Sequence, residues 1–328
     1  MPTNLPPDYF TVEKQFREAE SPEEKIACLE EMLAIVPKHK GTDHLRADLR
    51  RRLSKLKAAA ETHKKTGRQG SAYHIDREGA GQVVLTGVAN VGKSALVAAL
   101  TNATPEVAEY PFTTWTPTPG MMSIEDIQVQ LIDAPALNPD FVEPEHLNLI
   151  RRADLVLLVV DLQGYPLQEL EDALAFLEAQ RIMPMHRRDG YDGEVRMTFV
   201  SMQVVANKCD DEELDGDFEV LCELVGDEWA PIPVSAVTGY HVDKFKQRIF
   251  DALDIVRVYS KPPGEAPDLS APFVIRKGAT VYELAGKIHK DFLDQLKAAR
   301  VWGSATHDGQ MVGRDHVLQD GDIVELRM

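Results

Sequence analysis

Short apolar runs alternate with helix-like stretches through the middle of the chain. Four runs have the length of a buried strand, and each is followed by a small or polar residue: 82–86, 129–132, 199–206 and 232–234. Helical patterns follow the first run at 95–100 and close the region at 242–258. Strands that alternate with helices predict an α/β fold, with a doubly wound and mostly parallel sheet, over residues 79–258.

Two helical patterns lie within residues 1–78. The segment Ser21-Pro22-Glu23-Glu24 has an N-cap serine, a proline at the first helical position and an acid three residues on, so it predicts a helix that ends near Pro37. Leucines 45, 49, 53 and 56 recur at helical spacing, which predicts a second helix with one buried face. Together they predict a helical hairpin.

The carboxyl-terminal part has a different pattern of apolar and polar residues. Residues 259–272 are rich in proline and are expected to form a linker. Residues 273–328 show short alternating strands around one helical pattern at 281–296, which suits a small β-grasp domain. Its histidines, His289, His307 and His316, have no metal-ligand spacing, so we expect this domain to serve recognition.

A Gly-x-x-x-x-Gly-Lys-Ser motif occupies residues 87–94, between the first predicted strand and its helix. In that context backbone N–H groups and the positive helix end favour a polyphosphate, with Lys93 reaching the β- and γ-phosphates and Ser94 ligating Mg²⁺. The alternative is a chance Gly-Lys-Ser turn. The expected phosphate-loop contacts are Val88, Ala89, Asn90, Val91, Gly92, Lys93, Ser94 and Ala95.

A second motif, Asn207-Lys208-Cys209-Asp210, follows the run 199–206. The Asp210 carboxylate only accepts hydrogen bonds and so matches the N1–H and 2-amino donors of guanine, whereas adenine presents an acceptor at N1. This disfavours an ATPase; the remaining alternative is that Asn207 and Asp210 only form a turn. Further base contacts are expected from Ser235, Ala236 and Val237.

Metal and switch positions lie between these motifs. Asp133 ends the run 129–132, where it can hold Mg²⁺ through water, and Thr114 can close on the metal when the γ-phosphate is present. We therefore assign catalytic roles to Lys93, Thr114 and Asp133. The expected switch residues are Thr113, Thr114, Asp133, Ala134, Pro135 and Ala136. The alternative for Thr113 and Thr114 is a Pro/Thr loop without a ligand.

Several stretches resemble the DRG branch of the Obg-related GTPases. They are YPFTTWTPTPG at 110–120, Asn90 within the phosphate loop, IHKD at 288–291, VWGS at 301–304, GDIV at 321–324, and KHKGTDHL at 38–45. The resemblance spans nearly the whole chain. It implies a terminal TGS domain at 273–328 and association with the ribosome or a translation factor.

The resemblance also bears on hydrolysis. It implies that Asn90 helps to hold K⁺ beside the phosphates, although Asn90 can instead only stabilise the loop. Family members usually have glycine where Ala136 stands, and Leu137 is apolar where Ras-like enzymes have a water-orienting glutamine. We expect slow GTP hydrolysis that K⁺, a regulatory protein partner or the ribosome accelerates. The alternative is a nucleotide-sensing module that binds GTP or GDP with little hydrolysis.

Charge is unevenly distributed. Residues 38–68 carry eleven Lys and Arg against three acids, a net of +8, whereas the whole chain has a net charge of −17. Such a segment can dock on ribosomal RNA while the acidic remainder is repelled, or it can be a solvated surface. Its basic side chains on the second helix are Arg46, Arg50, Arg51, Arg52, Lys55 and Lys57.

Composition bears on the cellular compartment of the protein. Three cysteines form an odd set without metal spacing, which suits a reducing compartment. The first nine residues lack the pattern of a signal peptide, and no apolar run approaches the length of a membrane span. We expect a cytoplasmic protein that does not insert into membranes.

Overall fold

The computed structural model describes Pro6, Tyr9, Val12, Phe16 and residues 22–36, 49–53, 75–101, 116–138 and 143–327. The chain divides into two compact units, one of residues 1–74 with 138–146, the other of residues 75–137 with 147–328. Within the described ranges, no helix has both the length and the apolar character needed to cross a bilayer.

The amino-terminal unit has a small apolar core around helix α1 (Pro22–Ile35), which lies where the sequence predicts it. Residues 49–53 are helical, with Leu49 buried and Arg50, Arg51 and Arg52 exposed. The predicted buried leucine face is therefore confirmed for these residues, and the rest of the basic segment lies outside the described residues. The core is formed by Tyr9, Val12, Phe16, Leu29, Met32, Val36 and Leu49.

The second unit contains a six-stranded sheet in the order β2-β3-β1-β4-β7-β8. Every pairing in it is parallel except that of β2 with β3. This confirms the predicted doubly wound, mostly parallel sheet. The strands are β1 (Gln82–Thr86), β2 (Thr118–Ile124), β3 (Ile127–Asp133), β4 (Leu155–Asp161), β7 (Met202–Asn207) and β8 (Ile232–Pro233).

Helices cover both faces of this sheet, so all five residues of β1 are buried. Leu85 and Leu157 of adjacent strands pack in one core with Leu96 of α2 and Phe245 of α6. The helices of this region are α2 (Lys93–Leu100), α3 (Pro144–Arg152), α4 (Pro166–Ala179), α5 (Asp215–Val225) and α6 (Val242–Ala252).

The predicted strand at 199–206 proves to be two strands. Residues Thr198–Val200 (β6) pair with Ile182–Pro184 (β5) in a separate two-stranded sheet, and the central sheet resumes at Met202. The segment between β5 and β6 is anchored by His186, whose ring meets the buried Trp229 edge-on at 4.7 Å. The polar insertion at 185–196 is thus attached to the domain through an aromatic contact.

The predicted closing helix at 242–258 is wrong beyond Ala252. Asp254 has φ of 52°, which ends helical geometry, and the chain continues as strand β9 (Ile255–Ser260). Val256 and Val258 are buried at the two-residue period of a strand. This strand belongs to the carboxyl-terminal sheet, so that sheet begins ahead of the predicted linker at 259–272.

The carboxyl-terminal sheet has five strands in the order β10-β9-β13-β11-β12. They are β10 (Phe273–Arg276), β11 (Ala298–Trp302), β12 (Gln310–Val312) and β13 (Asp322–Arg327), together with β9. The expected single helix at 281–296 is broken at His289, which leaves α7 (Val281–Ile288) and α8 (Lys290–Gln295). Thr280 and Glu283 form a reciprocal capping box that fixes the start of α7.

Arg257 of β9 joins the two sheets. Its guanidinium, 15% exposed, bonds Asp320 Oδ2 at 2.7 Å and Asp126 Oδ1 at 2.9 Å, and it also pairs with Glu125. Glu125 and Asp126 form the turn between β2 and β3, and the Tyr259 hydroxyl donates to Asp126 as well. One arginine therefore fixes the carboxyl-terminal sheet to the β2–β3 hairpin.

The Arg257→Met substitution is expected to lower the free energy of unfolding at pH 7 by about 3 kcal/mol, because it strands partly buried carboxylates. Hydrogen bonds from Arg257 hold the pKa of Asp320 below its usual value. A carboxylate whose pKa is lowered on folding stabilises the fold at pH values above its ordinary pKa of about 3.9. That stabilisation is lost as the pH falls below this value. The cost of the substitution should therefore shrink below about pH 4.

Denaturant unfolding of the native protein and of Arg257→Met, at pH 7 and below about pH 4, measures this difference in the free energy of unfolding. Arg276→Met, at an exposed arginine of β10, is the matched control and should cost less than about 0.5 kcal/mol. Equal costs for the two variants would contradict the role given to Arg257.

Candidate functional site

The phosphate loop lies between β1 and α2, at the carboxyl edge of the central sheet. Gly92 precedes α2 with φ of 89°, and a Cβ atom there would lie 2.2 Å from Asn207 Nδ2. A Cβ atom on Gly87 would lie 2.5 Å from the Val159 carbonyl oxygen. Both glycines are therefore required by close packing, and the loop wraps tightly around the start of the helix.

Lys93, the first residue of α2, is buried and folds back over the loop. Its ammonium donates to the carbonyl oxygens of Gly87 at 3.2 Å and Val88 at 2.8 Å. Burial lowers the pKa of Lys93 to about 8, against the opposing effects of Asp133 and Glu169. A polyphosphate would offer this ammonium anionic acceptors, which bind it more strongly than neutral carbonyls.

The predicted metal-side residues converge on the same edge. Asp133 is the fully buried last residue of β3 and pairs in register with Leu85, two residues before the loop. Ser94 is the second residue of α2. A carboxylate and a hydroxyl beside phosphate oxygens are the hard oxygen ligands that Mg²⁺ prefers, so these residues fit that ion.

The segment after Asp133 runs along the phosphate loop. The Ala134 N–H donates to the Leu85 carbonyl at 3.2 Å, and the Leu137 N–H donates to the Gly87 carbonyl at 3.0 Å. Pro135 and Ala136 between these anchors are half-buried. Thr113 and Thr114 lie outside the described residues.

Asn207, at the end of β7, connects the two predicted motifs. Its buried side-chain amide donates to the Val91 carbonyl at 2.8 Å, and its Oδ1 accepts from the Ala236 N–H at 3.3 Å. The phosphate loop and the loop that follows β8 are thus held by one side chain. Asn90, in contrast, is exposed and has φ of 69°.

The Asp210 carboxylate is held in place by Ser235. The Ser235 hydroxyl donates to Asp210 Oδ1 at 2.6 Å and accepts from the N–H groups of Val237 at 3.2 Å and Thr238 at 3.0 Å. Val237 is 84% exposed, so a large apolar side chain stands beside this carboxylate in solvent. The structure therefore brings together Asn207, Lys208, Asp210, Ser235, Ala236 and Val237.

Three residues that the sequence analysis missed complete the arrangement. Asp161, at the end of β4, pairs with the Lys208 ammonium, and its N–H donates to Glu169 Oε2 at 2.7 Å. Burial raises the pKa of Glu169. Asp161 ends an apolar run, as Asp133 does, and that signal could have identified it.

Gln163 is the third missed residue, and it contacts the Asp210 carboxylate. Its side-chain amide donates to Asp210 Oδ2 and to the Lys208 carbonyl, both at 2.9 Å. The Oδ1 atom of Asp210 already accepts from Ser235, so Gln163 supplies the second donor. An exposed glutamine in a polar loop carries no sequence signal for this role.

Two family models match the chain. One, described as a 50S ribosome-binding GTPase, matches residues 82–187. The other, described as a TGS domain, matches residues 256–328, which include all of strand β9 except its first residue. The two matched segments carry the phosphate loop and the carboxyl-terminal sheet, respectively.

Relatives match along most of the chain. An uncharacterized GTP-binding protein of Methanocaldococcus jannaschii is 31% identical over 93% of this chain and 92% of its own length. The developmentally-regulated GTP-binding protein 1 of Xenopus laevis is 27% identical over 92% of this chain and 98% of its own length. The ribosome-interacting GTPase 1 of Saccharomyces cerevisiae is 26% identical over the same shares.

A solved structure shares the fold. The YchF GTPase of Schizosaccharomyces pombe superposes with a TM-score of 0.51 at 15% identity, covering 77% of this chain and 99% of the other. Together with the TGS match, this likeness supports a phosphate-loop GTPase fold followed by a β-grasp domain.

We predict that Gln163→Ala raises the affinity for GDP about three- to tenfold, because guanine donors no longer compete with the amide for Asp210. Fluorescent GDP titration measures the change. Gln168→Ala, at an exposed glutamine of α4 that bonds Asp172, is the matched control and should leave the affinity unchanged. If Gln163→Ala bound GDP more weakly and the control did not, Gln163 would contribute to nucleotide binding and would not compete with it.

Proposed function

We propose that this chain, which belongs to the DRG family of GTP-binding proteins, works as a slow, Mg²⁺-dependent GTPase switch. The observation that carries the proposal is the position of Asn207, whose amide contacts the phosphate loop on one side and the Ser235–Ala236 loop on the other. A single ligand with a polyphosphate at one end and a guanine at the other fits this spacing of sites.

The phosphate end rests on α2 and β3. The N–H groups at the start of α2 and the Lys93 ammonium would bind the β- and γ-phosphates. Ser94 and Asp133 would hold Mg²⁺, which neutralises charge as it develops on the phosphoryl oxygens. We assign the remaining metal contact to Thr114.

The base end rests on Asp210. Its carboxylate would accept from guanine N1–H and the 2-amino group once Gln163 moves aside. The Ala236 N–H, which donates to Asn207 Oδ1, and the Val237 N–H, which donates to the Ser235 hydroxyl, would be shared with the guanine carbonyl. Ser235 keeps the carboxylate oriented throughout. This chemistry selects GTP and GDP over adenine nucleotides.

Hydrolysis should be slow because no polar side chain stands at 137. Leu137 is 5% exposed and its N–H is bound to the Gly87 carbonyl, so this position offers nothing to orient a water molecule. The exposed position of Asn90 supports the proposal that this side chain helps to hold a K⁺ ion beside the phosphates, which would add to the positive charge of Lys93. Leu137, together with Ala136 where family members usually have glycine, favours the second candidate, a nucleotide-sensing module with little hydrolysis.

Steady-state GTP hydrolysis in K⁺ and in Na⁺ buffer distinguishes the two, with Lys93→Ala as the blank. We expect at least tenfold faster turnover in K⁺, lost in Asn90→Ala but retained in the control Asn148→Ala on α3. Turnover at the level of the blank in both salts, with tight GDP binding, would exclude the switch. If Ala136→Gly then raised turnover tenfold, about 1.4 kcal/mol of barrier, the native chain would be tuned for binding.

We further propose that the protein acts in the cytoplasm on a ribosomal partner, which it contacts through the basic helix and the TGS domain, with a regulatory protein as a further accelerator. Support comes from the name of the matching family model, from the yeast relative's name and from the exposed arginines at 50–52. Three consecutive exposed arginines on one helix suit phosphate groups of ribosomal RNA.

The substitution of Arg50, Arg51 and Arg52 by glutamine should reduce co-sedimentation with ribosomes about tenfold at 100 mM salt and flatten its salt dependence, because phosphate contacts release counterions. The triple variant Arg188→Gln, Arg196→Gln, Arg248→Gln removes equal charge from exposed positions of the GTPase domain and serves as the control. Equal sedimentation of both variants would leave the basic helix as a solvated surface.

A further inference from the structure

Three side chains with metal-binding atoms meet directly behind the guanine-reading motif. Cys209 follows β7, Asp215 begins α5 and His241 precedes α6, so three separate elements contribute. The thiol sulfur, a carboxylate oxygen and an imidazole nitrogen all lie within 4.8 Å of one another. Cys209 is buried, whereas the side chains of His241 and Asp215 are 25% and 42% exposed, so solvent reaches the cluster from one side.

Two distances in this cluster are close to those around a tetrahedral ion. Asp215 Oδ1 lies 3.8 Å from Cys209 Sγ and 3.5 Å from His241 Nε2. Ligand atoms around tetrahedral zinc stand about 3.3–3.6 Å apart, given metal–ligand distances of about 2.0–2.3 Å. Small side-chain movements would bring the three atoms to bonding distance from one ion, with water in the fourth position.

A surrounding hydrogen bond already orients the carboxylate. The Tyr240 hydroxyl donates to Asp215 Oδ2 at 3.1 Å, which turns Oδ1 toward the sulfur and the imidazole. The Cys209 N–H donates to the Val234 carbonyl at 3.2 Å and fixes the backbone under the thiol. Supporting contacts of this kind are typical of metal sites.

We propose that Cys209, Asp215 and His241 form a binding site for a divalent ion of the zinc class, and that this ion stabilises the guanine-reading loop. The second part rests on the proposed nucleotide function. Sulfur, imidazole and carboxylate ligands favour Zn²⁺ or Co²⁺ over Mg²⁺, so the site is chemically distinct from the phosphate end. On binding, the thiol proton passes to solvent and the thiolate bonds the metal.

The proposed metal site lies close to the two loops that position the base-reading Asp210. Cys209 lies between Lys208 and Asp210, and the Ser235 N–H donates to the Tyr240 carbonyl at 3.0 Å, next to His241. An ion at this site would therefore restrain both loops that position Asp210. We expect it to slow GDP release about three- to tenfold.

Titration of the nucleotide-free full chain with Co²⁺ under reducing conditions tests the site. One Co²⁺ per chain should produce thiolate-to-cobalt charge-transfer absorption, and Zn²⁺ should displace it. The absorption should disappear in Cys209→Ser and in His241→Asn and persist in Cys222→Ser, the matched cysteine control. Asparagine suits the φ of 61° at position 241, so this variant tests the ligand without disturbing the backbone.

Absorption that lacks the thiolate band, or that persists in His241→Asn, would overturn the site. Release of fluorescent GDP with and without Zn²⁺ tests the link, and His241→Asn should remove the slowing while its metal-free release stays unchanged. Equal release rates with and without Zn²⁺ would overturn the link. Because the cobalt measurement needs no nucleotide, its outcome is independent of whether the chain hydrolyses GTP.

Discussion

The hydrogen bonds of the Asn207 side chain are the constraint on which the candidate site depends. The amide is buried and uses both ends, donating to the phosphate loop and accepting from the loop after β8. A buried amide that loses a partner costs about 1–3 kcal/mol, so the two loops are held at a fixed separation. A nucleotide that bound both loops would need this separation to match the distance between its phosphates and its base.

The central sheet determines where Asn207 and its neighbours lie. Parallel pairing places the ends of β1, β3, β4 and β7 at one edge, where Asp133, Asp161 and Asn207 follow buried apolar strands. The positive charge at this edge comes from Lys93 and Lys208, and both are covered by oxygen atoms of the protein itself. A ligand that bound these two ammonium groups would therefore have to replace partners that they already have.

The sequence was sufficient for the parts of the site with a strong local pattern. The phosphate loop is bounded by a five-residue buried strand and a helix, and its two glycines occupy positions where a Cβ atom would clash. Strand β9 was missed because its apolar residues follow those of α6 with only Asp254 to mark the change of period. Gln163 and the Cys209 cluster were missed because their partners are distant in sequence and meet only through the sheet.

The contact of Arg257 with the β2–β3 turn gives the molecule a mechanical connection. The hairpin is about 20 Å long, and its strand β3 ends at the metal-side Asp133 while its turn is fixed to the carboxyl-terminal sheet. Because β2 and β3 are paired along their whole length, a displacement of the turn would also move the strand end at Asp133. The carboxyl-terminal sheet is thus connected mechanically to the edge of the central sheet that carries the phosphate loop.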